Sequence, residues 1–109
     1  MPRATEKGKQ KLLKYKLEEM KLEEKNWDGK WRLIIYDVAK SKRANSEAFR
    51  RMLNQLNLLK LQKSVYLTPF KCEDEVEYLR IFFEIGNEVQ ILKVGSLESE
   101  AAYRRYFGI

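Results

Sequence analysis

The segment Trp31–Val38, WRLIIYDV, constrains the chain most. It is short, almost continuously apolar, and dense in aromatic and β-branched residues, the pattern of a strand in the middle of a sheet. A central strand needs neighbours on both edges and a layer over at least one face, so the rest of the chain must supply them. Asn45–Leu56 places Phe49, Met52, Leu53 and Leu56 at i, i+3, i+4 and i+7, an amphipathic helix that Asn45 or Ser46 is expected to cap. Leu58–Phe70 alternates. Leu59, Leu61, Val65 and Leu67 point one way, and Lys60, Gln62, Ser64, Tyr66 and Thr68 the other, as one bent strand or two short ones ended by Pro69. Glu73–Ile85 predicts a second helix, with acidic residues in its first turn, Val76, Leu79 and Phe83 on its buried face, and Gly86-Asn87 ending it. Glu88–Val94 is a further strand, and Leu97–Phe107 a short helix carrying Tyr103, Tyr106 and Phe107.

This order predicts an α+β, ferredoxin-like βαββαβ sandwich over residues 27–109, with helices on one face of an antiparallel sheet. The other face is expected to stay open and to offer Ile34, Tyr36 and Tyr66 to a second copy, giving a homodimer. Residues 1–26 are expected to form a basic helical extension. Within it Thr5–Lys25 reads as an amphipathic helix, with Leu13, Leu17 and Met20 at helical spacing. Little else in the chain is expected to cover that stripe, so it should dock on a partner or on the dimer mate.

Composition narrows the chemistry. A chain of 109 residues is one domain's length. There is no His, and Cys72 is the lone cysteine, so Ser-His-Asp and Cys-His catalysis, an intrachain disulfide and a Cys-based zinc site are excluded. Met1–Gln10 lacks the apolar core of a signal peptide, and no apolar run approaches the ~18 residues of a spanning helix. A cytoplasmic protein without a membrane partner is expected. The formal charge is +6, and it is unevenly placed: residues 27–70 hold nine basic and three acidic side chains, whereas residues 71–109 are net acidic. A lopsided positive charge favours polyanions through counterion release.

Asp37 is the most informative single residue. It closes an apolar strand, where a carboxylate suits either a metal or ligand, or else a helix cap or an ion pair with Lys42 or Arg43. One carboxylate is too few for tight Mg²⁺ binding, but a two-fold axis would bring a second Asp37 alongside. The basic loop Lys40, Lys42 and Arg43, continuing to Arg50 and Arg51, is a candidate phosphate grip. Gln62, Lys63 and Ser64 would add polar groups beside Asp37 if their strand is its neighbour.

Taken together, the strand end Tyr36-Asp37-Val38, the basic loop with Arg43, the amphipathic helix and then Leu61-Gln62-Lys63-Ser64-Val65-Tyr66 resemble the CRISPR-associated protein 2 family over about residues 31–97. Asp37 matches that family's strand-ending aspartate and Arg43 its loop arginine. Gln62, Ser64, Val65 and Tyr66 match its Q-x-S-V-aromatic strand. The resemblance implies a homodimeric scaffold that joins CRISPR integrase subunits and holds double-stranded DNA during spacer acquisition. For some members it also implies Mg²⁺-dependent endonuclease or endoribonuclease activity, with the paired aspartates as catalytic metal ligands. The scaffold role is the preferred expectation, because one acid and no His is thin machinery.

Trp27-Asp28-Gly29-Lys30-Trp31-Arg32 resembles the opening of the related domain in phenylacetate-degradation repressors. There the domain follows a DNA-binding winged helix, whose tail Thr5–Lys9 and the Leu/Lys helix resemble. A chain of this length is expected to lack room for the whole winged helix. This resemblance implies the dimerisation domain of a transcription regulator. The helical pattern of Glu98–Phe107 departs from the CRISPR family's final strand, which crosses to the other subunit.

Overall fold

In the computed structural model the described residues are 16–24 and 26–109. Strand β1 (Trp31–Tyr36) leads through a 3-10 turn (Lys40–Lys42) into helix α1 (Arg43–Gln55). Strands β2 (Leu59–Gln62) and β3 (Val65–Thr68) form a hairpin, followed by helix α2 (Glu73–Phe82). A second 3-10 turn (Gly86–Glu88) precedes strand β4 (Val89–Val94), and helix α3 (Glu100–Phe107) closes the chain. The sheet order is β2-β3-β1-β4, antiparallel throughout, so β1 is central as its apolarity requires. That order, with a helix after β1 and another after β3, is compatible with the ferredoxin-like arrangement.

The segment 58–70 resolves into two strands because Lys63-Ser64 turns the chain, and a bulge shifts the register between Lys60 and Gln62. Helix α1 starts earlier than its expected cap. Lys42 occupies the N-cap without a side-chain bond, and the Asn45 amide instead donates to the Phe83 carbonyl at 2.7 Å, tying α1 to the end of α2. Helix α2 ends at Phe83, where Glu84 takes a left-handed φ of 59°, a few residues before Gly86-Asn87.

One facing is reversed from expectation. Ile34, Tyr36 and Tyr66 point toward the helices and are buried in the core with Phe49, Leu53, Val76 and Leu79. Tyr36 meets Phe49 edge-on at 5.3 Å. A strand apolar at nearly every position carries no alternation, so it cannot announce which side the helices will take. The far face instead carries the cross-strand row Leu59, Leu67, Leu33 and Leu92, with Ile35 and Val65 beside it. Leu92 is 42% exposed there. At one end of this face α3 covers Trp31, whose ring lies 6.2 Å from both Tyr103 and Phe107.

The N-terminal segment also differs. The helix expected through Lys25 ends in a turn at residues 18–19, and residues 20–24 run without regular structure. Leu17 and Leu22 are buried in this chain's own core, so they need no dimer mate. The Gln55 amide holds the segment by donating to the carbonyls of Leu17 and Met20. Leu12, Leu13 and the rest of the predicted helix before Lys16 lie outside the described residues.

Among the described residues Arg32 is the one fully buried cation. Its guanidinium donates to both carboxylate oxygens of Asp28 (2.8 and 2.6 Å) and to the carbonyls of Lys30 and Pro69 (2.8 and 2.9 Å), with Glu73 at 3.4 Å. Such multiple donation is what makes a buried charge tolerable. Arg32 hydrogen bonding holds the Asp28 carboxyl far below the usual range, against the smaller effect of burial. Burial pushes Glu73 upward, but backbone N–H donors at 72 and 73 and the Arg32 charge outweigh it, leaving that carboxyl lowered too.

Asp28→Ala leaves the guanidinium with only its longer partner and two carbonyls, and should destabilise the fold by about 3 kcal/mol, read as a lower urea midpoint. Both carboxyls are lowered by folding, so the unfolded chain binds their protons first. Stability should therefore be full above about pH 5 and fall as acid titrates through the unfolded values toward the folded ones. In Asp28→Ala this acid-sensitive part should shrink.

Candidate nucleic-acid interface

Backbone hydrogen bonds fix the tip of β1. The Tyr36 N–H donates to the Ser64 carbonyl at 3.2 Å, and the Asp37 N–H to the Glu88 carbonyl at 3.0 Å. The central strand is thus gripped between the starts of β3 and β4 just where its apolar run ends. Asp37 is exposed at that tip and makes no ion pair among the described residues. Neither alternative ion pair, with Lys42 or with Arg43, forms. The Lys42 ammonium turns instead to the Glu84 carbonyl (2.9 Å) and the Glu88 carboxylate (3.1 Å), latching the 3-10 turn to the end of α2.

With Lys42 withdrawn, Lys40 and Arg43 remain on the side of the turn facing an open cleft of about 480 Å³. The β2–β3 turn lines its other side with Lys63 and Ser64, and Asp37 and Ser46 complete the rim. Lys40, Arg43 and Lys63 have no carboxylate within ion-pair distance among the described residues. Three cations from three elements therefore surround one strand tip, an arrangement suited to phosphate oxygens. A smaller hollow of about 320 Å³ lies on the opposite side of Asp37, lined by Asn87, Glu88 and Gln90.

The remaining expected residues fall outside this ring. Arg50 pairs with Glu47 at 2.5 Å on α1. Arg51 and Gln62 are exposed and do not line the cleft. Tyr66 is fully buried, and its hydroxyl has no hydrogen-bond partner among the described residues. Tyr36 stacks near it, the ring centroids 6.3 Å apart. Burial, and then the Tyr66 neighbour, push the Tyr36 hydroxyl up to about 12. Glu47 also lines the cleft and was not anticipated, although its spacing from Arg43, Arg50 and Arg51 is legible in the sequence.

A Mg²⁺ centre does not fit within one chain. Asp37 stands among cations, Glu47 is engaged by Arg50, and no three metal-binding side chains cluster among the described residues. Nor is any helix there long and apolar enough to cross a membrane.

Residues 24–104 match the family model described as the PaaX protein central Cas2-like domain. No curated protein and no solved structure matches the chain. The matched stretch includes both the Trp27–Arg32 segment that builds the Arg32 network and the cationic strand tip.

An unpartnered buried hydroxyl costs about 1–3 kcal/mol, so Tyr66→Phe should leave thermal stability unchanged or raise it. A clear loss of stability in that variant would show that the hydroxyl has a bonding role.

Proposed function

The chain belongs to the family of the PaaX protein central Cas2-like domain, and from that membership we propose that it is a self-associating module of transcription regulation that holds duplex DNA by its phosphates. The observation that supports this most is the cleft, where Lys40, Arg43 and Lys63 converge without carboxylate partners among the described residues. Each approaches from a different element, so the fold brings three charges to one strand tip. No base-reading constellation accompanies them among the described residues. In this reading the module contributes affinity and position along the duplex through its phosphates.

Self-association uses the far sheet face. Its leucine row, with Leu92 exposed and Ile35 and Val65 half-buried, is apolar surface that a second copy would bury.

A second reading, the CRISPR-type adaptation scaffold, draws on a specific observation: the exposed Asp37 at the strand tip, beside those cations. In that role the dimer would join integrase subunits across a DNA duplex. Metal-dependent cleavage there requires the partner copy's carboxylate, and Asp37→Asn would abolish it. Co-purification with a CRISPR integrase separates the two readings, since a regulator module has no such partner.

Two measurements test the proposal. Replacing Lys40, Arg43 and Lys63 together by Ala should weaken binding to random-sequence duplex DNA and flatten the log–log salt slope by about 0.9 for each phosphate no longer neutralised. Unchanged affinity would sink the phosphate assignment. Sedimentation equilibrium should give the mass of two chains, and Leu92→Glu should reduce it to one. A wild-type mass of one chain at every concentration rejects the dimer.

A further inference from the structure

Glu47 sits on α1 between Arg43 at i−4 and Arg50 and Arg51 at i+3 and i+4, so helical geometry gathers three guanidiniums around one carboxylate. It binds one of them directly, Arg50, at 2.5 Å. Hydrogen bonding to Arg50 lowers the Glu47 carboxyl, with the Arg50 charge next and smaller contributions from Arg43 and Arg51. Both partners are partly open to solvent, Arg50 at 38% and Glu47 at 42% of the side chain. Such a pair is worth little to the fold. Its position is what distinguishes it, because Glu47 lines the same cleft as Lys40, Arg43 and Lys63. A carboxylate there places anionic oxygens against arginine where a phosphate would place its own.

We propose that Glu47 is an internal competitor for the phosphate site: it masks Arg50 in the free protein and yields it when a nucleic-acid phosphate enters the cleft. The inference rests on the phosphate-binding reading above and adds an affinity-setting residue to it. The ion pair keeps a second bidentate donor, beside the cleft-lining Arg43, neutralised until a phosphate displaces the carboxylate. Binding is thereby weaker and more selective for dense phosphate than the basic composition alone would make it. Arg50 contributes nothing until Glu47 releases it, so the two residues must behave non-additively.

The experiment measures affinity for a labelled random-sequence DNA duplex across a sodium chloride titration, with thermal melting as the check on folding. Glu47→Gln should bind about tenfold tighter, the worth of one charge-assisted contact, with a salt slope steeper by about 0.9. Arg50→Ala alone should bind more weakly than wild type, because it removes the released contact and leaves Glu47 unpaired at the cleft, and Glu47→Gln with Arg50→Ala should lose the gain. Glu77→Gln is the matched control, since it removes the carboxylate of an i,i+3 arginine pair on α2, away from the cleft, and changes net charge equally. A gain that persists without Arg50, or an equal gain in Glu77→Gln, overturns the competitor role. If the Lys40, Arg43 and Lys63 replacements weaken binding while Glu47→Gln does not tighten it, the competitor fails and the phosphate reading stands. If neither set changes affinity, both fail.

Discussion

Arg32 carries a full positive charge into a buried position, and the chain around it is arranged to meet that charge. Asp28, four residues earlier, is brought back by the Gly29 turn, whose φ of +81° a side chain would strain. The Asp28 carboxylate also accepts the Lys30 N–H at 3.0 Å, closing the turn on itself. Pro69 offers its carbonyl from the end of β3, and Glu73 arrives at the start of α2. One guanidinium thus joins the strand entry, the β3 exit and the second helix. Removing a partner leaves the charge stranded, which is why the network resists substitution.

The tryptophans on either side extend this staple. The Trp27 indole donates to the Lys30 carbonyl, and its ring lies 5.2 Å from Trp31 and 5.2 Å from the Arg104 guanidinium. The Trp31 indole donates to Glu100 at 2.8 Å, fixing the first turn of α3. The end of the sheet near Arg32 is therefore closed by polar bonds and aromatic packing. The opposite end, at the tip of β1, is left with cations and a carboxylate exposed. One central strand thus runs from an end closed by polar bonds and aromatic packing to an end whose charged side chains stay open.

Much of this was legible in residue order. The central position of β1 follows from its unbroken apolarity, and the three helices appear where the 3.6-residue pattern places them. The family relation rests on short ordered motifs at both ends of β1, and the family match covers both. The facing of Ile34, Tyr36 and Tyr66 was not legible, because alternation is silent in a strand that is apolar on both sides. The burial of Leu17 and Leu22 was also hidden. Their stripe looked surplus only because the exposed end of α1, with its Gln55 amide, could not be seen as a docking surface.

The amino-acid sequence by itself determined the elements, their order, the absence of imidazole and of a cysteine pair, and the concentration of positive charge in residues 27–70. These are local or compositional properties, carried by spacing and residue type. Only the tertiary structure decided which cations lie together. Lys42 is drawn to Glu84 and Glu88, Arg50 to Glu47, and Lys63 comes beside Lys40 and Arg43 across many residues of chain. Coulomb attraction depends on distances in space, and those are set by how the hairpin and both helices pack around β1.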